Sequence, residues 1–367
     1  MLSRYFFLVF FLALFLGCSS KGSRIPKSEN EVLNSLLHKA PMTTVELDDI
    51  SVDTVFIKEE NILGRINDSS LSTPIVGKVV DLIKIGDSLY VADQQQDCIW
   101  VMDRQGTWHR KIGRQGRGPG EFGFLLGMVK NSSYVYTLDK ENARIQIYDY
   151  QFDLQATFDH VIFGLNGGQI TATDSILYLP LSFYEYDKLI EIRQATPPFN
   201  QVHVFWPQLI PAGMQPLAYN TYYINANADS KVVVAFQGLP YIFILNSKNR
   251  LIHTIYLESA RYKELENPSI KPVSRDIREG MRVQAFLQNL YLADDGSIYF
   301  QIKLDLFQIV AHETGYHLKK VWHFTHVDPR KRKAFPYGIP FTSMIVNNNI
   351  IYLGSIFSEY IYRFPLN

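Results

Sequence analysis

The residues of this chain that could do chemistry are scattered, and their types suit holding a ligand better than transforming one. Arginines and aromatics gather in the longer polar segments: Arg114 and Arg117, Tyr184 and Tyr186, Arg275, Arg278 and Arg282, and the basic run 330–333 with Phe335 and Tyr337. Guanidinium forks pair with carboxylates and phosphates, and aromatic faces stack on flat or ring-shaped partners, so these residues form the candidate binding set for an anionic or glycan-like ligand. The run 330–333 alone reads as a solvated face, as short charge runs usually do. Signatures of catalysis are weaker. No Gly-x-Ser-x-Gly elbow occurs. The glycine-rich segment 113–120 lacks the Lys-Ser or Lys-Thr ending of a phosphate loop, and Pro119 has no amide to donate. It reads instead as a turn that needs positive φ at several glycines.

Composition sets the frame for these residues. The chain has 367 residues, with Lys+Arg 36 balancing Asp+Glu 36, and it carries 24 Phe, 22 Tyr and 4 Trp. Balanced charge excludes the phosphate attraction of a nucleic-acid binder, and 47% apolar residues exclude a disordered chain. With 2 cysteines, neither a disulfide scaffold nor a four-thiolate zinc site is available.

Residues 5–16 form an uninterrupted apolar run after Arg4, followed by Gly17 and Cys18 and then a polar stretch, 19–30. The run is too short to span a bilayer and fits the hydrophobic region of a signal peptide. Gly17-Cys18 resembles the lipobox of bacterial lipoproteins, although Phe15 stands where leucine is usual; the resemblance implies lipidation of Cys18 and a membrane partner through that anchor. The expected organisation is a signal peptide over 1–17, a lipidated Cys18 with a tether over 18–50, and one domain over 51–367. The remaining thiol, Cys98, lies in the apolar run 98–101 and reads as a buried strand residue.

From residue 79 onward the chain falls into short β-rich runs punctuated by Gly, Asn and Asp. The clearest unit is 79–84, 88–93, 98–103 and 108–112, four strands joined as a meander with tight turns at Gly86-Asp87 and Gln105-Gly106. The same rhythm recurs around turns at 131–133, 173–174, 228–230, 294–296 and 347–349. Meanders too small to bury both faces alone are the blades of a β-propeller, and the aromatic excess suits flat blade interfaces. The fold class is therefore all-β, a six-bladed propeller of four-stranded antiparallel blades. Its last copy lacks one strand, and residues 52–58 are expected to supply it and close the ring, removing two open edges.

The run 89–93, then 99–103 and Gly106, then 112–122 resembles an NHL-type repeat. With the lipobox, the chain is similar to six-bladed β-propeller lipoproteins of Bacteroidetes, which implies a lipid-anchored cell-envelope location; Ser19 permits outer-membrane sorting, and residues 19–22 lack the acidic residues that resemble a surface-export signal, so the expected side is the periplasm. Some propellers of this architecture, lactonase-type hydrolases and an amidating lyase, hold axial metals. Reading the corresponding starts of the innermost strands, 79–81, 127–128, 168–169, 220–221, 288–289 and 343–344, finds Asp81 as the sole acid. One carboxylate among amides is poor for a hard cation, and His109, His203, His253 and His323 fall on outermost strands.

In an antiparallel blade, the connection between second and third strands and the one leaving the fourth emerge on the same face. By this parity the long loops 59–76, 113–127, 207–220, 258–285 and 326–341, with the insertion 182–187, share one face, which becomes the candidate functional surface. The expected function is a binding or scaffolding propeller for a glycan, peptide or protein partner, with no nucleic acid, metal or cofactor. The alternative is a metal-dependent hydrolase or lyase.

Overall fold

The computed structural model describes residues 28, 30–63, 76–162, 169–181, 186–209, 220–265, 285–326, 341–356 and 360–366. Helix α1 (Glu31–Leu37) and strands β1 (Met42–Glu46), β2 (Val52–Ile57) and β3 (Ile62–Leu63) precede the blades. Blade 1 is β4 (Val79–Ile85), β5 (Ser88–Asp93), β6 (Cys98–Met102) and β7 (Trp108–Ile112). Blade 2 is β8 (Leu125–Lys130), β9 (Val135–Asp139), β10 (Arg144–Tyr148) and β11 (Leu154–Asp159). Blade 3 follows as β12 (Thr171–Ala172), β13 (Ile176–Pro180), β14 (Lys188–Gln194) and β15 (Gln201–Pro207). Blade 4 is β16 (Tyr222–Ala226), β17 (Val232–Phe236), β18 (Tyr241–Leu245) and β19 (Leu251–Glu258), and blade 5 is β20 (Asn289–Leu292), β21 (Ile298–Ile302), β22 (Asp305–His312) and β23 (Gly315–His326). Strands β24 (Ser343–Asn347), β25 (Ile350–Gly354) and β26 (Ile361–Pro365) begin blade 6.

Within each blade, neighbouring strands pair antiparallel in chain order, as the meander pattern requires. The first strands β4, β8, β12, β16, β20 and β24 contact one another in a closed ring, so they line an axis. Side-chain burial follows from this geometry. Middle strands are covered by blades on both sides and are buried throughout, as in β9, β17 and β21, whereas the outermost strand β11 alternates half-buried and exposed positions. Six apolar clusters fill the six blade interfaces; the one between blades 3 and 4, for example, joins Tyr178, Leu189 and Ile192 to Val232, Val234 and Phe236. The fold is a six-bladed β-propeller.

Side-chain bridges near the axis staple one inner strand to the next. Asp81 Oδ2 accepts from Met128 N at 3.1 Å, Thr171 Oγ1 from Ala226 N at 3.0 Å and Asn225 Oδ1 from Leu292 N at 3.0 Å. Asn289 Nδ2 donates to Phe341 O at 3.1 Å, and Thr342 Oγ1 to Val79 O at 2.9 Å. Inner strands of different blades form no shared ladder, so these bonds supply the polar contact that a ladder would.

Ring closure corrects one expectation. An N-terminal strand does complete blade 6, but it is β3, whose Leu63 and Ile62 pair antiparallel with Ile361 and Tyr362 of β26. Residues 52–57 instead pair in parallel with β23 as a fifth, outer strand of blade 5, and β1 adds in parallel to β19 of blade 4. Ile57 buries its side chain in the interface of blades 5 and 6 while Val52 and Phe56 remain exposed, so β2 fits a one-sided outer edge better than the two-sided interior of blade 6. Part of the expected tether is also packed. Leu33, Leu36 and Leu37, spaced on one face of α1, enter the cluster between blades 3 and 4. Asn30 caps the helix by accepting from Leu33 N at 2.9 Å, and its amide donates to Leu209 O at 2.6 Å.

Candidate functional site

Seven of the residues singled out from sequence or grouped with them, Cys18, Tyr184, Arg275, Arg278, Arg282, Phe335 and Tyr337, and the run 330–333, lie outside the described residues. The three described members do not converge. Arg114 is exposed and its guanidinium pairs with Glu121 at 2.8 Å, while Glu121 also accepts from Gly118 N at 2.8 Å. Together these contacts hold Glu121 below the usual carboxylate range, the Gly118 amide contributing most. Arg117 is exposed, and its carbonyl accepts from Arg144 at 3.0 Å. Tyr186 is exposed, and its carbonyl accepts from Gln208 Nε2.

The glycine-rich segment is a braced inter-blade loop. Arg144 donates to the carbonyls of Arg117, Gly118 and Glu121 and pairs with the buried Asp139 at 2.9 Å. Gly113 adopts φ +75°, and a Cβ there would stand 2.4 Å from the Phe122 ring, so only glycine fits. The recurrent Asp at the end of second strands is likewise structural. Asp93 accepts from the N–H groups of Gly77, Lys78, Gln95 and Gln96 and from Trp100 Nε1, and Asp139 from Gly123 N and Asn142 Nδ2.

What the fold does bring together is the mouth of the axis on the loop-bearing face. A cavity of about 400 Å³ opens there between the starts of the inner strands and the connections from second to third strands. Asp81, Gly127, Gln169, Thr221 and Gln288, all at the sequence-derived axial positions, line it. Gln94, Lys140, Gln237 and Ile356 enter from the second-to-third connections, as parity requires, and Phe124 from just before β8. Asn220 and Asn289, axial by sequence, are instead buried and spent on backbone partners: Asn220 accepts from Leu209 N at 2.8 Å and Asn289 from Leu290 N at 2.7 Å. Gln94 and Lys140 were legible in principle, since each directly follows the repeated Asp of its blade; nothing local marks Gln237 or Phe124.

Asp81 stands at the waist of the axis, lining both this mouth and a second cavity of about 460 Å³ on the opposite face. Removal from bulk water pushes its carboxyl up to about 7, against the opposing pull of the Met128 and Leu82 amides. At neutral pH the waist therefore holds a carboxyl near its own midpoint. Tyr223 and Gln237 face each other at 3.5 Å, and burial keeps the Tyr223 phenol neutral. Lys140 Nζ stands over the Phe124 ring, 5.3 Å from its centroid. Among the described residues, no three His, Cys, Asp or Glu side chains converge as metal ligands.

Two other polar clusters are closed by their own partners. Buried His160 bonds Pro180 O at 2.9 Å and faces Glu191, which Arg193 also pairs. Asp305 is shared by Tyr262, His323 at 2.5 Å and Arg261 at 3.2 Å.

A family model described as a six-bladed β-propeller matches residues 72–189. No curated protein matches the sequence. Among solved structures, a protein of Bacteroides fragilis described as exported is similar at 12% identity and a TM-score of 0.43, covering 89% of this chain and 80% of that one. The structure described as U3-55K is similar at 11% identity and a TM-score of 0.49, covering 79% and 96% of the two chains. Virginiamycin B lyase of Staphylococcus aureus is similar at 8% identity and a TM-score of 0.45, covering 80% and 86%.

Proposed function

We propose that this chain is a binding protein of the cell envelope, lipid-anchored through Cys18, that takes a small ligand into its axial mouth. The mouth itself carries the reading. It has the size of small-molecule sites, it combines apolar walls with a few convergent polar groups, and a closed ring of blades holds those groups rigid. The apolar run 5–16 before Gly17-Cys18 supports the anchor, and Ser19 with the lack of acidic residues over 19–22 favours an outer-membrane position facing the periplasm. Arg114 and Arg117 then contact only a ligand large enough to extend from the mouth over the glycine-rich loop.

A screen of mixed small molecules and short peptides by thermal shift, followed by hydrogen exchange on each binder, tests the site. Protection of the segments around Gln94, Gln169 and Gln288 is expected. Binders that protect only surfaces away from the axis would refute it. Metabolic labelling with an alkyne fatty acid should mark the protein, and labelling that persists in Cys18→Ser would rule out the anchor.

A hydrolase or lyase is the second reading, favoured by one observation: a carboxyl raised to about 7 inside a cleft is suited to general acid–base work. Turnover of a lactone panel by the wild type, lost in Asp81→Asn, would install it.

A further inference from the structure

We propose that the ligand of the axial mouth is a saccharide, its hydroxyls read by Gln94, Gln169 and Gln288 and one face of its ring packed on Phe124. This rests on the mouth being the binding site. The side chains that face the cavity are unusually rich in primary amides, with Gln94, Gln169, Gln237 and Gln288 around one opening. Gln94 and Gln169 are half-buried at the cavity wall, and Gln288 Oε1 is buried there without a donor among the described residues. Buried acceptors are almost always satisfied, so an orphan beside a cavity marks where an outside group donates. A hydroxyl is both donor and acceptor on a freely turning bond and so meets either end of an amide.

Charge narrows the class further. Among the described lining residues, Asp81 and Lys140 are the only ionisable side chains of the acid and base type, one of each sign, and Lys140 is engaged by the Phe124 ring. An anionic or cationic ligand, or a peptide with charged ends, meets no converging counter-charge here. A neutral, hydroxyl-rich ring needs none.

Phe124 supplies the independent observation. It holds φ +70°, a left-handed conformation that phenylalanine rarely adopts. Asp97 enforces it, Oδ1 accepting from Phe124 N at 2.8 Å and from Leu125 N at 3.1 Å. Strain of this kind persists where surrounding structure over-determines it, and it collects at ligand clamps. Here it sets an aromatic side chain in the wall of the mouth, where a glycine would have made the turn without strain.

The test uses purified Cys18→Ser protein with maltose, cellobiose and N,N′-diacetylchitobiose, by calorimetry and saturation-transfer NMR. At least one should bind with a Kd on the order of 1 mM or tighter. Gln288→Met and Phe124→Ala should each weaken that binding about tenfold, as expected when a site loses a hydroxyl partner or a stacking face. Unliganded Gln288→Met should melt no lower than wild type, because it removes an unsatisfied acceptor; a lower melting temperature with a matching loss of binding would make Gln288 structural and overturn its assignment. Failure of all three sugars at about 10 mM overturns the saccharide. So does binding that ignores both mouth variants. If uridine or diglycine binds instead and the same variants abolish it, the mouth stands as the site and the saccharide falls.

Discussion

Replacing Asp81 by Asn keeps the shape of the waist of the axis and removes its charge. The carboxyl is raised from 3.8 to about 7, chiefly by removal from water. At 1.36 kcal/mol per tenfold, the full difference would correspond to at most ~4 kcal/mol. The side chain is half-buried and lines two open cavities, so screening reduces this to roughly 2 kcal/mol. Because the folded-state value lies above the unfolded one, the associated stability is fully present below pH 3.8 and is lost as pH rises through about 7. Asn has no proton to lose and should not show that decline. Its amide does sacrifice one of the two backbone bonds, to Met128 or Leu82, at a cost of about 1 kcal/mol that is independent of pH. Urea unfolding of both proteins at pH 5 and pH 8 should therefore show wild type losing stability relative to Asp81→Asn, by roughly 2 kcal/mol at most, with unchanged slope. Parallel pH dependence in the two proteins would refute the claim that Asp81 titrates in the neutral range.

Arg144→Ala removes the brace of the glycine-rich loop and leaves buried Asp139 without its ion-pair partner; unfolding should cost ~3–5 kcal/mol less than for wild type, and a loss under 1 kcal/mol would show the loop held by other bonds. The Cys98 thiol is fully buried and pushed up to about 12 by that burial, so in Cys18→Ser protein it should resist an aromatic disulfide reagent at pH 8 until denaturant is added. Deletion through residue 30 should leave the propeller folded, whereas deletion through residue 58 strips Leu33, Leu36, Leu37, Val45, Leu47 and Ile57 from three blade interfaces and should yield insoluble protein; equal melting of the two truncations would contradict the packing of α1, β1 and β2.

The blades and their faces were legible from the amino-acid sequence because both depend on neighbours along the chain. Runs such as 88–93 and 98–103 alternate with tight turns at every copy, and antiparallel pairing follows wherever a short turn joins two such runs. Parity then has only two values, so the side of the ring on which each connection emerges follows from connectivity alone. The buried state of Cys98 came the same way, from an apolar run in a middle strand.

What closed the ring was decided elsewhere. Residues 52–58 make the more strand-like run, yet β3, with two residues, completes blade 6, because fit at an edge depends on the partner's exposed face and on which side chains it can cover. Helix α1 escaped notice for a related reason: one and a half turns of leucines become meaningful only beside the gap between blades 3 and 4 that they fill. The mouth is the extreme case. Its residues come from all six blades, Asp81 owes its raised pKa to burial supplied by several of them, and the orphaned oxygen of Gln288 exists only after every neighbour has taken its place. Strand rhythm, turns and facing are local or nearly local properties and were determined by the sequence. Edge choice, convergence and electrostatics are sums over groups far apart in the chain, and only the closed ring sets the distances over which those sums are taken.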